Sequence, residues 1–160
     1  MLVLGIGNPI RNDDGVGPAV ADAVRRALSP KERDTVEVRS LDSGGWNLIP
    51  EVEGFDALVL IDAYFSGDAV PGRVRTLDTA VLQSTARPPD SAHLIGVGDA
   101  LKLSQNLGCR TPALLGAVTV DIGESCMFFG ETLSPEILAA VPTAATAVRA
   151  LLDGYLGFTK

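Results

Sequence analysis

Three short, almost wholly apolar segments constrain the fold of this 160-residue chain. They are MLVLGI at residues 1–6, ALVLI at residues 57–61 and LLGAVTV at residues 114–120. Continuous apolar strands of this kind occur in parallel sheets that are covered on both faces. Helical patterns separate them, and strands that alternate with helices indicate an α/β fold. We therefore predict one domain over residues 1–160, built as three α/β/α layers around a mostly parallel sheet.

Periodic patterns place the other strands and the first helix. Apolar residues recur at every fourth position over residues 16–28, which predicts a helix that begins close to Asp14. Two more strands are predicted over residues 35–41 and 72–77. The second of these alternates polar and apolar residues, so we expect a half-exposed edge strand that runs antiparallel to its neighbour.

Three further helices are expected: a short one over residues 46–52, one over residues 93–106 capped by Ser91, and one that begins at Ser134-Pro135-Glu136. The last start is well marked, because a capping serine, a proline at the first helical position and an acid near the positive end of the helix dipole follow one another. Pro142 should bend this helix. Its residues expected to face the core are Ile137, Val141, Ala145, Val148 and Leu152.

Composition excludes several classes of protein. The net charge is −7 and no basic cluster exceeds the pair Arg25-Arg26, so nucleic acid and anionic membranes are poor partners. No apolar run reaches the ~18 residues of a membrane span, and the first residues lack the features of a signal peptide. Cys109 and Cys126 have no metal-binding spacing, and we expect both to be small buried hydrophobes. A cytoplasmic protein is predicted.

The segment GIGNPIRNDDGVGPAVA, residues 5–21, resembles a phosphate-binding loop at its start. A dinucleotide fingerprint requires a third small residue where this chain has Ile10, and the Gly-Lys-Ser/Thr end of a P-loop is missing. Asp13 and Asp14 would also repel a phosphate at the start of the helix. The loop is therefore better suited to a cation than to a nucleotide.

The predicted topology brings distant acids together. Ligands of doubly wound sheets bind beyond the carboxyl ends of the strands, where the strand order reverses. If the order begins 2-1-3, Asp13 and Asp14 after the first strand lie near Asp62, which we expect to end the third strand. Converging carboxylates are costly unless a cation is present or one is protonated. With His93, the single histidine, they form an N/O ligand set for a divalent metal such as nickel or zinc.

Each of these residues also has a simpler interpretation. Asp13 or Asp14 can cap the first helix, Asp62 can be a turn residue at a strand end, and a lone histidine near a helix start is often a surface residue. The shared position at the switch point is what favours the metal site. A serine protease is excluded, because Ser43 has no base if His93 is used for metal.

The motifs GIGNPIRNDDGVGPAVA, LIDA and DSAH, in this order and spacing, resemble the hydrogenase maturation endopeptidase family. These enzymes remove the C-terminal tail from the large-subunit precursor of [NiFe]-hydrogenase. The resemblance implies a twisted sheet of about five strands between helix layers. It also implies that Asp14, Asp62 and His93 hold the metal at the cleavage site, with nickel supplied by the precursor. Asp13 would then orient a ligand or act as a base.

The chain departs from the family pattern at two places. Many members carry glutamate where this chain has Asp14, and many have D-G-G-T where it reads LDSGGWNLIP at residues 41–50. The second difference concerns how a loop holds the substrate rather than the metal ligands. Two other functions stay open: a non-catalytic nickel checkpoint in hydrogenase assembly, and a nucleotide or small-molecule enzyme that uses the GIGN loop.

Overall fold

The structure, a computed structural model, describes residues 1–42, 44–65, 69–80, 97–123 and 128–158. The strands are β1 (Leu2–Ile6), β2 (Glu37–Leu41), β3 (Ala57–Tyr64), β4 (Val74–Leu77) and β5 (Ala113–Asp121). The helices are α1 (Val16–Ala27), α2 (Pro30–Arg33), α3 (Leu48–Val52), α4 (Val97–Asn106) and α5 (Pro135–Phe158). Short 3-10 turns cover Asn12–Gly15 and Gly45–Asn47.

The five strands form one sheet in the order β2-β1-β3-β5-β4. Four of them are parallel, and β4 pairs antiparallel with β5 at one edge. The predicted fold class, the 2-1-3 start of the strand order and the antiparallel edge strand are therefore confirmed. The order reverses between β1 and β3, so the switch point lies where these two strands end.

The two faces of the sheet bury different side chains, because successive residues of a strand point to opposite sides. One face packs on α1 and α5, and its core includes Val3, Val59 and Val118. The other face packs on α3 and α4, and its core includes Leu4 and Leu60. This assignment matters for the site, since it fixes the side to which each polar strand residue points.

The first helix crosses the first strand at unusually short range. A Cβ atom at Gly5 would overlap the carbonyl oxygen of Gly17, and one at Gly17 would overlap the carbonyl oxygen of Ile6. Gly7 has φ 142°, and a Cβ there would overlap the carbonyl oxygen of Asp14. The glycines of the opening motif therefore allow backbone to pack on backbone, and no phosphate is required to explain them.

Some local expectations were wrong. In α5 the predicted core residues Ile137, Val148 and Leu152 are buried, and Val141 and Ala145 are partly buried against the same core. The stripe is wider than predicted, because it also contains the buried Ala140 and Ala144. Cys109 is a free, half-buried thiol rather than a buried hydrophobe. Ser91, His93 and Cys126 lie outside the described residues, and so does the predicted first turn of α4.

The last helix, α5, continues to Phe158, beyond the end of the predicted apolar stripe at Leu152. Over Pro135–Gly157 it is long and apolar enough to cross a membrane by length and composition alone. It carries Arg149 and Asp153, however, and its buried stripe belongs to the core shared with α1 and the sheet. A single buried stripe of this kind is typical of a helix that packs with one face on the core of a globular domain.

Candidate functional site

Asp14 lies in the 3-10 turn that joins β1 to α1. The turn is folded back on the end of β1, where the backbone of Asp14 packs against Gly7. Its carboxylate Oδ2 accepts a hydrogen bond of 2.9 Å from the backbone N–H of Asn8, and the side chain is 9% exposed. No other hydrogen bond to this carboxylate comes from the described part of the chain. The turn therefore fixes Asp14 while leaving an oxygen able to accept a cation.

Asp62 lies at the same end of the sheet, on the neighbouring strand. Gly5 pairs with Ile61, so Asp62 is level with the end of β1, and the turn that carries Asp14 lies against β3. The side chain is fully buried, and its Oδ1 accepts a 2.8 Å hydrogen bond from the N–H of Ala63. The strand continues to Tyr64, so the expectation that Asp62 ends the strand was wrong. Asp62 projects from inside β3, toward the α3 and α4 side.

Asp13 points to a different part of the molecule. Its Oδ1 accepts a 2.6 Å hydrogen bond from the backbone N–H of Ser134, the residue before the first turn of α5. The side chain is 2% exposed. Neither Asp13 nor Asp14 caps α1, whose start has no side-chain cap, so that interpretation was wrong. Asp13 instead links the turn Asn12–Gly15 (the acid turn) to the positive end of α5.

His93, the third predicted ligand, lies outside the described residues. Within the described ranges no group of three or more His, Cys, Asp or Glu side chains could hold a metal ion. The structure thus brings Asp14 and Asp62 to one end of the sheet, and the assignment of all three residues as metal ligands stays a prediction. Two carboxylates at a switch point fit a cation in their charge and donor type.

A polar cluster that was not predicted from the sequence lies on β5, the strand next to Asp62, and on the edge strand β4. Asp121 of β5 is fully buried and accepts hydrogen bonds of 2.8 Å from Arg73 and from two nitrogens of Arg75. Burial is the largest influence and opposes ionisation of Asp121, yet these arginines and the N–H of Val70 together lower its pKa below the ordinary value. The guanidinium of Arg75 also lies 4.9 Å from the ring centre of Tyr64.

Strand register connects this cluster with Asp62. Asp62 pairs with Thr119 of β5, and Thr119 pairs with Arg75 of β4. One row further along, Tyr64 pairs with Asp121. The sequence does contain one indication of this cluster, because polar residues alternate with apolar ones at the end of the otherwise apolar strand β5. Thr119 and Asp121 are these polar residues, and both lie on the same face of the sheet as Asp62.

Comparisons of this chain with a family model and with known proteins agree on one family. The hydrogenase maturation protease family model matches residues 18–150. The chain is 27% identical over 157 residues to the hydrogenase 2 maturation protease of Escherichia coli K12, which covers 98% of this chain and 88% of that protein. It is 31% identical over 166 residues to the hydrogenase expression/formation protein HupD of Rhodobacter capsulatus, which covers 100% of this chain and 75% of that protein.

Solved structures agree with the sequence comparisons. The hydrogenase maturating endopeptidase HybD from E. coli has a TM-score of 0.71 at 28% identity, over 96% of this chain and 92% of that chain. The [NiFe] hydrogenase maturation protease HybD from Thermococcus kodakarensis has a TM-score of 0.68 at 25% identity, over 94% and 97%. Because the family model matches most of the chain and the shared fold extends over nearly all of it, the chain belongs to the hydrogenase maturation protease family and is an endopeptidase.

Proposed function

We propose that this endopeptidase removes the C-terminal extension of a [NiFe]-hydrogenase large-subunit precursor after nickel has been inserted, and that Asp14, Asp62 and His93 bind that nickel. The observation that carries the proposal is the placement of the Asp14 turn against the strand that holds Asp62, at the switch point of the sheet. The imidazole of His93 would complete a three-ligand N/O set with open positions for the substrate.

In this proposal the nickel belongs to the substrate. The precursor presents a nickel ion that already has ligands of its own, and the protease supplies the remaining ones. Binding would hold the scissile peptide beside the metal, where a polarised water can attack the carbonyl carbon. An anionic pair of aspartates repels a tail that approaches without a cation, so metal recognition and substrate recognition become one event. The donor set also accepts zinc, and nickel is selected by the client rather than by the ligands.

The surroundings of the acid turn suit a protein substrate. Ile10, Phe128 and Phe129 are 49%, 68% and 80% exposed. Their segments are held together by backbone hydrogen bonds, from Asn12 N–H to the carbonyl of Gly130 (2.8 Å) and from Gly130 N–H to the carbonyl of Ile10 (3.0 Å). Large apolar side chains grouped at the rim of a polar site are typical of a protein-binding surface. A small-molecule or nucleotide enzyme does not need such a rim, and the buried acids at the start of α1 disfavour a phosphate.

The sequence-based expectation of a cytoplasmic location is part of the proposal, as is the absence of a nucleic-acid partner. Both follow from the acidic charge and the cysteine pattern.

The test compares two forms of one substrate. Purified protein, at a small molar fraction of the precursor, is incubated with nickel-free and nickel-loaded large subunit, and intact masses are recorded. We expect one C-terminal fragment from the nickel-loaded form, many turnovers per protein molecule, and no cleavage of nickel-free precursor, casein or a free junction peptide. Equal cleavage of both precursor forms would refute nickel sensing but keep the protease assignment. Binding without turnover would instead support the checkpoint function.

A further inference from the structure

We infer that Thr119 is a positioning residue for Asp62, whose carboxylate it holds by a hydroxyl hydrogen bond when the client's cation is bound. This inference rests on the proposed function, because it deepens the role of Asp62 in that site. The observation that motivates it is an unpartnered buried hydroxyl beside the carboxylate. Within the described ranges, Thr119 Oγ1 is the one buried side-chain polar atom that has no hydrogen-bond partner.

The register of the sheet defines what this hydroxyl can reach. Thr119 stands between Asp62 on β3 and Arg75 on β4, and paired residues of adjacent strands point to the same face. Its chain neighbours Val118 and Val120 belong to the core on the opposite face. Thr119 therefore lies in the row of Asp62, on the α3 and α4 side of the sheet.

Within the described residues, the side-chain hydrogen bonds of Asp62 and Arg75 go to groups other than Thr119. Arg75 donates from Nε and NH2 to the two oxygens of Asp121, at 2.8 Å each. Asp62 Oδ1 accepts from the N–H of Ala63 on its own strand. Arg75 cannot accept a hydrogen bond at all, since a guanidinium has donors only. The acceptor that the row offers to the hydroxyl of Thr119 is the carboxylate of Asp62.

An unpartnered buried hydroxyl is expensive, so its presence calls for a reason. Leaving such a group without a hydrogen bond costs the free energy of removing it from water, and few buried groups in native proteins are left this way. A carboxylate that takes up a cation must turn an oxygen toward it, and a donor already in place fixes the new orientation. Groups that orient metal ligands in this way typically change affinity or activity about 10- to 100-fold when they are removed.

The experiment uses a matched pair of substitutions. Thr119→Val removes the hydroxyl at nearly the same size, and Thr119→Ser keeps it. Three quantities are measured on the full chain: urea unfolding without metal, Ni²⁺ affinity by competition with a chromophoric chelator, and the single-turnover rate of cleavage of nickel-loaded precursor. We expect the valine variant to be at least as stable as the wild type, because an unsatisfied hydroxyl is gone. Its Ni²⁺ affinity and cleavage rate should nevertheless fall about 10-fold or more, while the serine variant stays within about 3-fold of wild type.

Asp62→Asn is the control that separates this inference from the proposed function. If Asp62→Asn cleaves normally, the proposed nickel site is wrong and the role of Thr119 is overturned with it. If Asp62→Asn is inactive while Thr119→Val cleaves at the wild-type rate, the positioning role alone is overturned. A valine variant that loses stability and activity in parallel also overturns it, since that pattern describes a packing residue.

Discussion

The bond between Asp13 and Ser134 leads to a test of whether Asp13 is a structural or a catalytic acid. Asp13 is adjacent to Asp14 in sequence, yet its carboxylate bonds the N–H at the start of α5. We expect Asp13→Ala to destabilise the domain because Ser134 loses its acceptor and the helix loses a negative charge at its positive end. Asp13→Asn keeps an acceptor oxygen and should be milder.

The expected loss of stability follows from the hydrogen bond between Ser134 and Asp13. A hydrogen bond to a charged group contributes about 1.5–3 kcal/mol. The charge at the helix end adds about 0.3–1 kcal/mol. Ser134 is only partly buried, so water replaces some of the lost bond, and reduced repulsion of Asp14 offsets some more. Asp13→Ala should therefore cost about 2–3 kcal/mol and Asp13→Asn about 1 kcal/mol. For a domain of this size, each kcal/mol lowers Tm by about 2–4 °C, so the alanine variant should melt about 4–12 °C lower.

The assay pairs unfolding with cleavage at a temperature where both variants are folded. If Asp13 is a capping acid, both variants should unfold at lower midpoints than the wild type, and the asparagine variant should cleave the precursor at a near-normal rate. If Asp13 is instead a catalytic base, both variants should cleave about 10²- to 10⁴-fold more slowly and show little change in stability. An Asp13→Ala protein that melts with the wild type would refute the capping role that we derive from the structure.

Three other outcomes are expected. Asp14→Asn and Asp62→Asn should each abolish cleavage of nickel-loaded precursor in a folded protein, as judged by intact mass and circular dichroism; a fully active variant of either would exclude that residue from the site. The pKa of Glu32 is lowered to about 2, chiefly by the hydrogen bond from Arg149 and then by Ser29. Its contribution to stability is therefore present above the unfolded value of 4.5 and lost as pH falls toward 2, so the difference in urea midpoint between wild type and Glu32→Gln should shrink over that range. Phe129→Ser should raise KM for precursor without lowering Tm, and an unchanged KM would remove Phe129 from the client-binding rim.

Sequence patterns predicted the layers of this fold because strands that are buried on both faces of a sheet are continuously apolar. Continuous apolar strands and a four-residue apolar repeat gave β1, β3, β5 and α1 with boundaries correct to a few residues. The positions of Asp14 and Asp62 at one end of the sheet could be predicted as well, since a switch point follows from strand order alone. The extension of β3 past Asp62 was missed because an aspartate in a buried strand resembles a strand end.

The periodicity of apolar residues could not predict which side chains form hydrogen bonds with each other. The bond from Ser134 to Asp13 joins residues 121 positions apart, and no local pattern reports it. The pairing of Asp121 with Arg73 and Arg75 depends on the register between β4 and β5, which is set only when the sheet has formed. Register also determines that Thr119 stands beside Asp62. Chemistry that depends on cross-strand neighbours therefore needs the structure.

The two adjacent acids of the opening motif are compatible because they bond different parts of the fold. Asp13 accepts from Ser134 at the start of α5, and Asp14 accepts from Asn8 in its own loop. Both of these hydrogen bonds come from backbone N–H groups, and no lysine or arginine of the described residues forms an ion pair with Asp14. The same turn that disfavours a phosphate at the start of α1 therefore suits the cation that, in our proposal, the precursor carries.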